Sequence, residues 1–209
     1  KETNFNLKSA KYFAGHSLGE YSALCCADSI TFDQTVKLLK IRGQAMQNAL
    51  PDGGGGMIAI LGSKIEDIQN ILSENNKRFP CYIANDNSIG QIVISGKINH
   101  LELLTSELKT KKIKFVNLPV SAPFHCPLMD KATEKMRHLI NETEFKNPKI
   151  SIISNVTANP VNESDVIKKL LIEQIEKPVR WRESVTNMIS SGVKNFIEIG
   201  PGKILSGLV

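Results

Sequence analysis

The chain has 209 residues, of which 41% are hydrophobic and 22% are charged, a composition typical of a globular protein with one large domain or a domain carrying an insertion. No apolar run approaches the roughly 18–20 residues of a membrane-spanning helix, and no secretory signal opens the sequence. The net charge is +5, with its densest basic run at 109–114. This run is a solvated face or a site for an acidic protein; it has few interleaved aromatic residues, which disfavours nucleic acid.

Cysteine usage indicates a reducing compartment. The four cysteines are Cys25, Cys26, Cys81 and Cys126. They show neither the Cys-x-x-Cys spacing of metal and redox sites nor the density of a disulfide scaffold. We therefore expect reduced thiols and a location in the cytoplasm.

A short strand followed by a sharp turn opens the predicted fold. Residues 12–14 predict a strand, residues 21–27 predict a helix, and Gly15-His16-Ser17-Leu18-Gly19 between them fits the Gly-x-Ser-x-Gly pattern of a nucleophile elbow. The glycines leave room for a strained turn, and N–H groups at the helix start would face an oxyanion. Ser17 is thus a candidate nucleophile, with an ordinary small-residue turn as the alternative. Since strands usually precede such an elbow, we expect the sequence to begin inside its domain and, from the helix-like run at its end, to finish inside it.

A capped helix is predicted over residues 31–50. Thr31 and Gln34 have the spacing of a capping box, and apolar residues then recur at helical intervals. Pro51 and the glycines at 53–56 end this helix. No Gly-Lys-Ser/Thr follows them, so they predict a hinge rather than a phosphate-binding loop.

Residues 57–118 alternate in the order β-α-β-β-α-β. The predicted elements are strand 57–61, helix 64–75, strands 81–85 and 91–95, helix 98–110 and strand 113–118. This order is that of a ferredoxin-like fold. We interpret 53–119 as a subdomain inserted into a core formed by 1–52 and 120–209.

The remaining residues return to alternating helices and strands, which predicts an α/β protein with a parallel sheet and an α/β-hydrolase-like core. The predicted elements are helix 127–142, strand 150–154, helices 164–176 and 182–191, strand 196–199, and a terminal helix after residues 200–202.

His125 is the candidate base for Ser17. Of the other histidines, His16 should diverge from the serine at a sharp turn, and His100 and His138 lie on amphipathic helices. His125 lies in an irregular segment just before a helix, which suits a residue presented into a cleft; a capping or buried histidine is the alternative. No clear acid completes a triad, but an imidazole oriented by a main-chain carbonyl would serve the same purpose.

Arg42 interrupts an apolar helix stripe. Its neighbours three and four positions away are all apolar, and a buried guanidinium needs an anionic partner. One interpretation is an internal salt bridge, for which Glu20 is a candidate. The other is a bidentate grip on a substrate carboxylate, which a lysine could not match.

Together, the elbow, Arg42 and His125 resemble the malonyl-CoA:acyl-carrier-protein transacylase family of type II fatty-acid synthesis. The resemblance runs through 15–22, 42–47, 85–87, 91–96, 120–125, 155–158, 178–181 and 198–203. It implies that Ser17 attacks a malonyl thioester, that His125 takes and returns the proton, and that Arg42 holds the malonyl carboxylate. It also implies malonyl-CoA as substrate, no bound cofactor or metal, an acyl carrier protein as acceptor, no nucleic acid or membrane as partner, and a monomer.

The resemblance also assigns supporting residues. The N–H of Leu18 would form half of an oxyanion hole, and a main-chain carbonyl near Arg180 would orient the histidine. Asn85 and Asn87 match polar residues at the subdomain face of the cleft, and Phe124 matches the malonyl rather than the methylmalonyl pattern.

One family motif has no counterpart in the sequence. The N-terminal Gly-Gln-Gly-type motif, whose glutamine helps to build the oxyanion hole, is missing from the 209 residues. Since losing one such donor costs about 10²–10³ in turnover, we expect these residues alone to be weakly active or unstable.

Three other interpretations stay open. A serine thioesterase or esterase would use Ser17 and His125 but gives Arg42 no role. The acyltransferase domain of a polyketide synthase is a close relative of the family. A docking module for an acidic partner would leave the combination of the three residues unexplained.

Overall fold

A three-stranded sheet anchors the part of the protein that carries the elbow. The computed structural model describes residues 6–50 and 54–209. Strand β1 (Phe13–Ala14) pairs in parallel with β6 (Ile152–Ile153), which pairs antiparallel with β7 (Pro160–Val161). The parallel pair agrees with the alternating pattern of strands and helices in the sequence.

Five helices surround this sheet and the site beside it. They are α1 (Gly19–Cys26), α2 (Phe32–Gln47), α5 (Asp130–Glu142), α6 (Ser164–Gln174) and α7 (Trp181–Ser190). Helix α2 begins with the predicted capping box: the Thr31 hydroxyl accepts the Gln34 N–H, and the Gln34 side chain accepts the Thr31 N–H. The apolar faces of α1, α2, α5 and α6 form one hydrophobic cluster with β6.

The second sheet is built mainly from antiparallel neighbours. Its strands are β2 (Gly55–Leu61), β3 (Cys81–Ser88), β4 (Gln91–Lys97) and β5 (Lys114–Asn117), in the order β5-β2-β4-β3. Helices α3 (Ile65–Glu74) and α4 (Ile98–Thr110) cover it and share a second hydrophobic cluster. These elements follow the predicted order. Nearly every residue of β2 and β4 is buried, because one face of the sheet packs on the two helices and the other contributes to a further hydrophobic cluster with Phe124.

A short strand joins the two regions. Strand β8 (Val179–Arg180) pairs in parallel with β3, with Asn85 opposite Val179. The Arg182 guanidinium, from α7, also donates to both carboxylate oxygens of Asp86 in β3 at 2.7–3.0 Å. Strand β8 and the first turn of α7 therefore hold the antiparallel sheet beside the elbow.

Several predicted elements differ from the structure. Helix 127–142 opens as a 3-10 turn, Pro127–Met129, and the α-helix begins only at Asp130. The predicted strand 196–199 is irregular and pairs with no described strand, and its hydrophobic residues are largely exposed. The predicted terminal helix is a single 3-10 turn, Ser206–Leu208, at whose start the N–H groups of Leu205 and Ser206 donate to the Glu198 carboxylate. The start of the predicted glycine hinge, 51–53, lies outside the described residues.

Candidate active site

Ser17 lies in a strained turn between β1 and α1. Its φ is 53°, a left-handed conformation that residues other than glycine rarely adopt. A Cβ at Gly15 would lie 1.9 Å from the carbonyl oxygen of Gly19, so a side chain there is excluded. Strand, strained serine and helix are the local structure of a nucleophile elbow, as the sequence pattern predicted.

Asn155 stabilises this turn from the end of the neighbouring strand. Its Oδ1 accepts the Ser17 N–H at 2.7 Å, and its Nδ2 donates to the carbonyl oxygen of Gly15 at 2.8 Å. The side chain is buried, so these bonds are shielded from competing water. A single asparagine thus fixes both sides of the elbow.

His125 lies against the serine in the geometry of a general base. The Ser17 hydroxyl lies 2.8 Å from Nε2, and Nδ1 lies 2.7 Å from the main-chain carbonyl oxygen of Gln174. Because a carbonyl can only accept, Nδ1 carries the proton and Nε2 is free to accept from the serine. Burial, together with the nearby Arg42 cation, lowers the pKa of His125 to about 3, so the imidazole is neutral at ordinary pH.

The carbonyl that orients the histidine differs from the expected one. Gln174 supplies it, whereas the Arg180 carbonyl accepts the Ser184 hydroxyl at 2.7 Å at the start of α7. Gln174 is the last residue of α6, and the final carbonyls of a helix have no partner within it. The end of α6 is therefore free to bond His125, while the Arg180 carbonyl is already engaged.

Arg42 places its guanidinium beside the nucleophile. Its Nη2 lies 3.1 Å from the Ser17 Oγ and donates to Gln174 Oε1 at 3.0 Å. The residue is only 5% exposed, and no carboxylate lies within 4.0 Å of it in the described ranges 6–50 and 54–209. The salt bridge considered for Glu20 is not formed: that carboxylate bonds Asn155 and Gln174 instead. A buried cation therefore lies beside the serine without an anionic partner among the described residues.

Leu18 and Phe124 are each the sequence neighbour of one member of the reacting pair. Leu18 directly follows the nucleophile at the start of α1, and among the described residues no acceptor takes its N–H. Phe124 directly precedes His125 and packs between two hydrophobic clusters, and its carbonyl accepts the Ser95 hydroxyl at 2.5 Å. These positions keep an N–H available near Ser17 and fix the backbone before the histidine.

The two asparagines of β3 have different surroundings. Asn85 is buried within the sheet. Asn87 Oδ1 accepts from His16 Nε2 at 2.8 Å, and its Nδ2 donates to Gln91 at 3.1 Å. The His16 ring turns away from Ser17 as predicted, and its centroid lies 5.6 Å from that of Trp181. Asn87 therefore connects the antiparallel sheet to the residue that precedes the nucleophile.

Sequence reasoning named Glu20 only as a possible salt-bridge partner of Arg42, and it found neither Gln174 nor the supporting role of Asn155. Asn155 belonged only to a motif of the family resemblance, and Gln174 lies in an ordinary amphipathic helix with no motif around it. The acidic residue of the Gly-x-Ser-x-Gly-Glu stretch was the one available signal.

Within the described residues, no group of three or more His, Cys, Asp or Glu side chains is placed to hold a metal ion. No described helix has the length and apolar character needed to cross a bilayer.

Comparisons with known proteins agree with this geometry. The acyl transferase domain family matches residues 8–207. The chain is 43% identical over 200 residues to the malonyl CoA-acyl carrier protein transacylase of Bacillus subtilis, covering 95% of this chain and 63% of that protein. The corresponding Escherichia coli K12 protein is 39% identical over 202 residues, covering 96% of this chain and 65% of that one.

Solved structures give the same result. The acyl-carrier-protein-S-malonyltransferase of Bartonella henselae superposes with a TM-score of 0.94 at 40% identity, covering 98% of this chain and 66% of that one. A malonyl-transacylase solved in complex with a type II polyketide-synthase acyl-carrier protein gives a TM-score of 0.92 at 38% identity, covering 96% of this chain and 65% of that one. The chain spans just under two thirds of the length of these relatives. The resemblance indicated by the motifs is confirmed, and the chain belongs to the acyl transferase domain family.

Proposed function

We propose that the protein transfers a malonyl group from CoA to the phosphopantetheine thiol of an acyl carrier protein, through an ester on Ser17. The observation that carries this proposal is the Arg42 guanidinium 3.1 Å from the Ser17 Oγ, beside a neutral His125. A nucleophile and base alone would serve many acyl transfers. A buried cation next to them favours an acyl group that carries its own carboxylate.

The first half-reaction forms the acyl-enzyme. Ser17 Oγ attacks the thioester carbonyl as its proton passes to His125 Nε2, and the Leu18 N–H donates to the developing oxyanion. Collapse of the tetrahedral intermediate breaks the carbon–sulfur bond, and His125 returns the proton to the departing CoA thiolate. The Gln174 carbonyl holds the imidazole in the required tautomer throughout.

The second half-reaction reverses these roles with a new thiol. His125 removes the proton of the phosphopantetheine thiol, whose sulfur attacks the ester, and Ser17 leaves with the returned proton. Substrate binding at the cleft would involve Asn85, Asn87 and Phe124, from the sheet and the segment before the base. The names of the similar proteins, malonyl CoA-acyl carrier protein transacylases, support this choice of donor and acceptor.

We also propose that the architecture is an α/β-hydrolase-like core, 1–52 and 120–209, with an inserted ferredoxin-like subdomain at 53–119. The subdomain is supported by the antiparallel strand order β5-β2-β4-β3 and by the helices α3 and α4, which follow β2 and β4 along the chain. The four free cysteines support a reducing, cytoplasmic location. We further propose that the protein is a monomer and binds no cofactor.

Arg42→Ala tests the function against simple ester or thioester hydrolysis. Losing this buried cation beside the serine should reduce malonyl transfer by about 10²-fold or more, because a substrate carboxylate would be left unpaired. Acetyl transfer, which has no carboxylate to bind, should change far less. Initial rates with malonyl-CoA and acetyl-CoA, with and without acyl carrier protein, give both numbers.

Lys40→Ala is the matched control, because Lys40 is an exposed cation on the same helix. It should leave both rates unchanged. Equal loss of malonyl and acetyl transfer in Arg42→Ala would contradict the proposed role of the guanidinium. Steady CoA release without any acylated carrier protein would identify a hydrolase instead.

A further inference from the structure

Glu20 is a buried carboxylate that the transfer steps do not use. It lies in the first turn of α1, three residues after the nucleophile, and is 1% exposed. Burying a carboxylate is costly unless hydrogen bonds compensate for the lost water. Glu20 Oε2 accepts two of them: the Asn155 N–H at 3.0 Å and Gln174 Nε2 at 2.7 Å.

The bond to Gln174 fixes the direction of a side-chain amide that also bonds Arg42. Gln174 Oε1 accepts from Arg42 at 3.0 Å, while Nε2 donates to Glu20. The two ends of an amide have nearly the same shape, but an ionised carboxylate only accepts and a guanidinium only donates. One amide orientation satisfies both, and the same residue carries the carbonyl that orients His125.

The bond to Asn155 reaches the other side of the site. Glu20 holds the main-chain N–H of this residue, whose side chain bonds both Ser17 and Gly15. A single residue, Asn155, therefore connects this carboxylate oxygen to the nucleophile turn. Another single residue, Gln174, connects it to the base and to the guanidinium. Among the described residues, these contacts place Glu20 at the centre of the buried polar network.

We propose that the ionised carboxylate of Glu20 positions the reacting groups, through Gln174 on one side and Asn155 on the other. Glu20 does not touch the substrate: it is a positioning residue. This inference rests on the proposed malonyl transfer, because that is the reaction whose rate reports the positions of Ser17 and His125. Protonation of Glu20 would remove the charge that fixes the Gln174 amide and would loosen the site.

The surroundings of Glu20 place this protonation in an accessible pH range. Burial raises the pKa of Glu20 to about 7, against the opposing effects of its hydrogen bonds and of the Arg42 cation. Arg42 from α2 and Tyr21 from α1 are the titratable groups coupled to it, and His125 and His16 are the others in the site. Burial lowers the pKa of both histidines, that of His125 to about 3, so neither gains a proton near neutrality. Activity should therefore fall as the pH drops through about 7, because the ionised form of Glu20 is lost.

The experiment measures the rate of Ser17 acylation by malonyl-CoA from about pH 5 to about pH 9 in the protein at its full natural length. Wild type and the exposed-carboxylate control Glu134→Gln should lose rate below about pH 7. Glu20→Gln, which keeps an acceptor oxygen but cannot ionise, should lack this fall. Glu20→Ala should be about 10²-fold slower, as expected when reacting groups are misplaced by about 1 Å.

The pH profile separates positioning from a purely structural role. A structural defect lowers the fraction of active protein but leaves the profile of the remainder unchanged. The same fall near pH 7 in Glu20→Gln as in wild type, or a flat wild-type profile, would overturn the proposal. If Glu20→Ala does not fold, the Glu20→Gln profile still decides.

A second probe keeps the inference independent of the substrate. If malonyl-CoA gives no adduct on wild type, the proposed function fails, and phosphonylation of Ser17 by a small fluorophosphonate replaces acylation as the readout. That reaction also needs the serine and histidine in place, and it should show the same dependence on Glu20. An unchanged phosphonylation profile in Glu20→Gln would overturn the positioning role alone.

Discussion

The antiparallel sheet and the elbow region of this protein are stabilised by different kinds of contact. The sheet β5-β2-β4-β3 and its two helices enclose a cluster made entirely of hydrophobic side chains and one cysteine. The elbow region also has a hydrophobic cluster, but beside it are buried Glu20, Arg42, His125, Asn155 and Gln174. The sheet also buries Asn85, Asp86 and Ser95, of which Asp86 and Ser95 bond residues of the other region. Away from that junction the sheet is stabilised by apolar burial, whereas the elbow region also depends on a connected set of polar contacts.

The backbone shows the same difference. Ser17 and His125 have φ values of 53° and 58°. Each such conformation costs of order 1–2 kcal/mol for a residue other than glycine, so other contacts must offset it. Each of the two residues is held by hydrogen bonds to Asn155 or Gln174. The strained backbone of the site lowers the stability of the fold, whereas the hydrophobic cluster of the sheet raises it.

The largest effect on stability is expected in the hydrophobic core of the sheet. Leu104 of α4 is fully buried, and Leu104→Ala should lower the free energy of unfolding by about 3 kcal/mol through lost contacts and a cavity. Its neighbour Leu103 is 39% exposed, so Leu103→Ala should cost less than about 0.5 kcal/mol. Denaturant unfolding gives both values, and the rate of transfer by folded Leu104→Ala should match wild type. Equal destabilisation by the two variants would remove the basis of the comparison.

A smaller effect is expected where the two regions meet. Arg182→Ala would leave the Asp86 carboxylate, whose side chain is 3% exposed, without its ion-pair partner. We expect a loss of about 2 kcal/mol, below the range for a fully buried pair because the Arg182 side chain is 33% exposed. Lys111→Ala breaks the more exposed Lys111–Glu107 pair and should change stability by less than about 0.5 kcal/mol.

Thermal or denaturant unfolding of these two variants measures this difference. If Arg182→Ala were as mild as Lys111→Ala, the junction between β3 and α7 would be held by the β3–β8 pairing alone.

Sequence reasoning succeeded where structure is local. Thr31 and Gln34 set the start of α2 through contacts three residues apart, and alternation along 57–118 set the elements of the sheet. It failed for strand 196–199, because a strand also needs a neighbour to pair with, and a partner is not encoded within the segment itself.

The residues of the candidate site were likewise predicted where a local pattern marks them, and missed where distant partners decide. Ser17 has a motif, Arg42 interrupts an apolar stripe, and His125 lies in an irregular segment before a helix. The residue that orients the histidine does so through its main chain, so its side-chain type gave no signal, and Arg180 was named in place of Gln174. Glu20 acts through two partners more than a hundred residues away in sequence, which only the folded chain brings together.

The central claim is that Ser17 forms a malonyl ester, and intact-protein mass spectrometry after mixing with malonyl-CoA tests it most directly. Wild type should gain the mass of one malonyl group, and so should Ser22→Ala, which removes an exposed hydroxyl on α1, the helix that follows Ser17. Ser17→Ala should gain none, and its turnover should fall by about 10⁴-fold or more. An adduct on Ser17→Ala, or no adduct on wild type while CoA is released, would contradict the account.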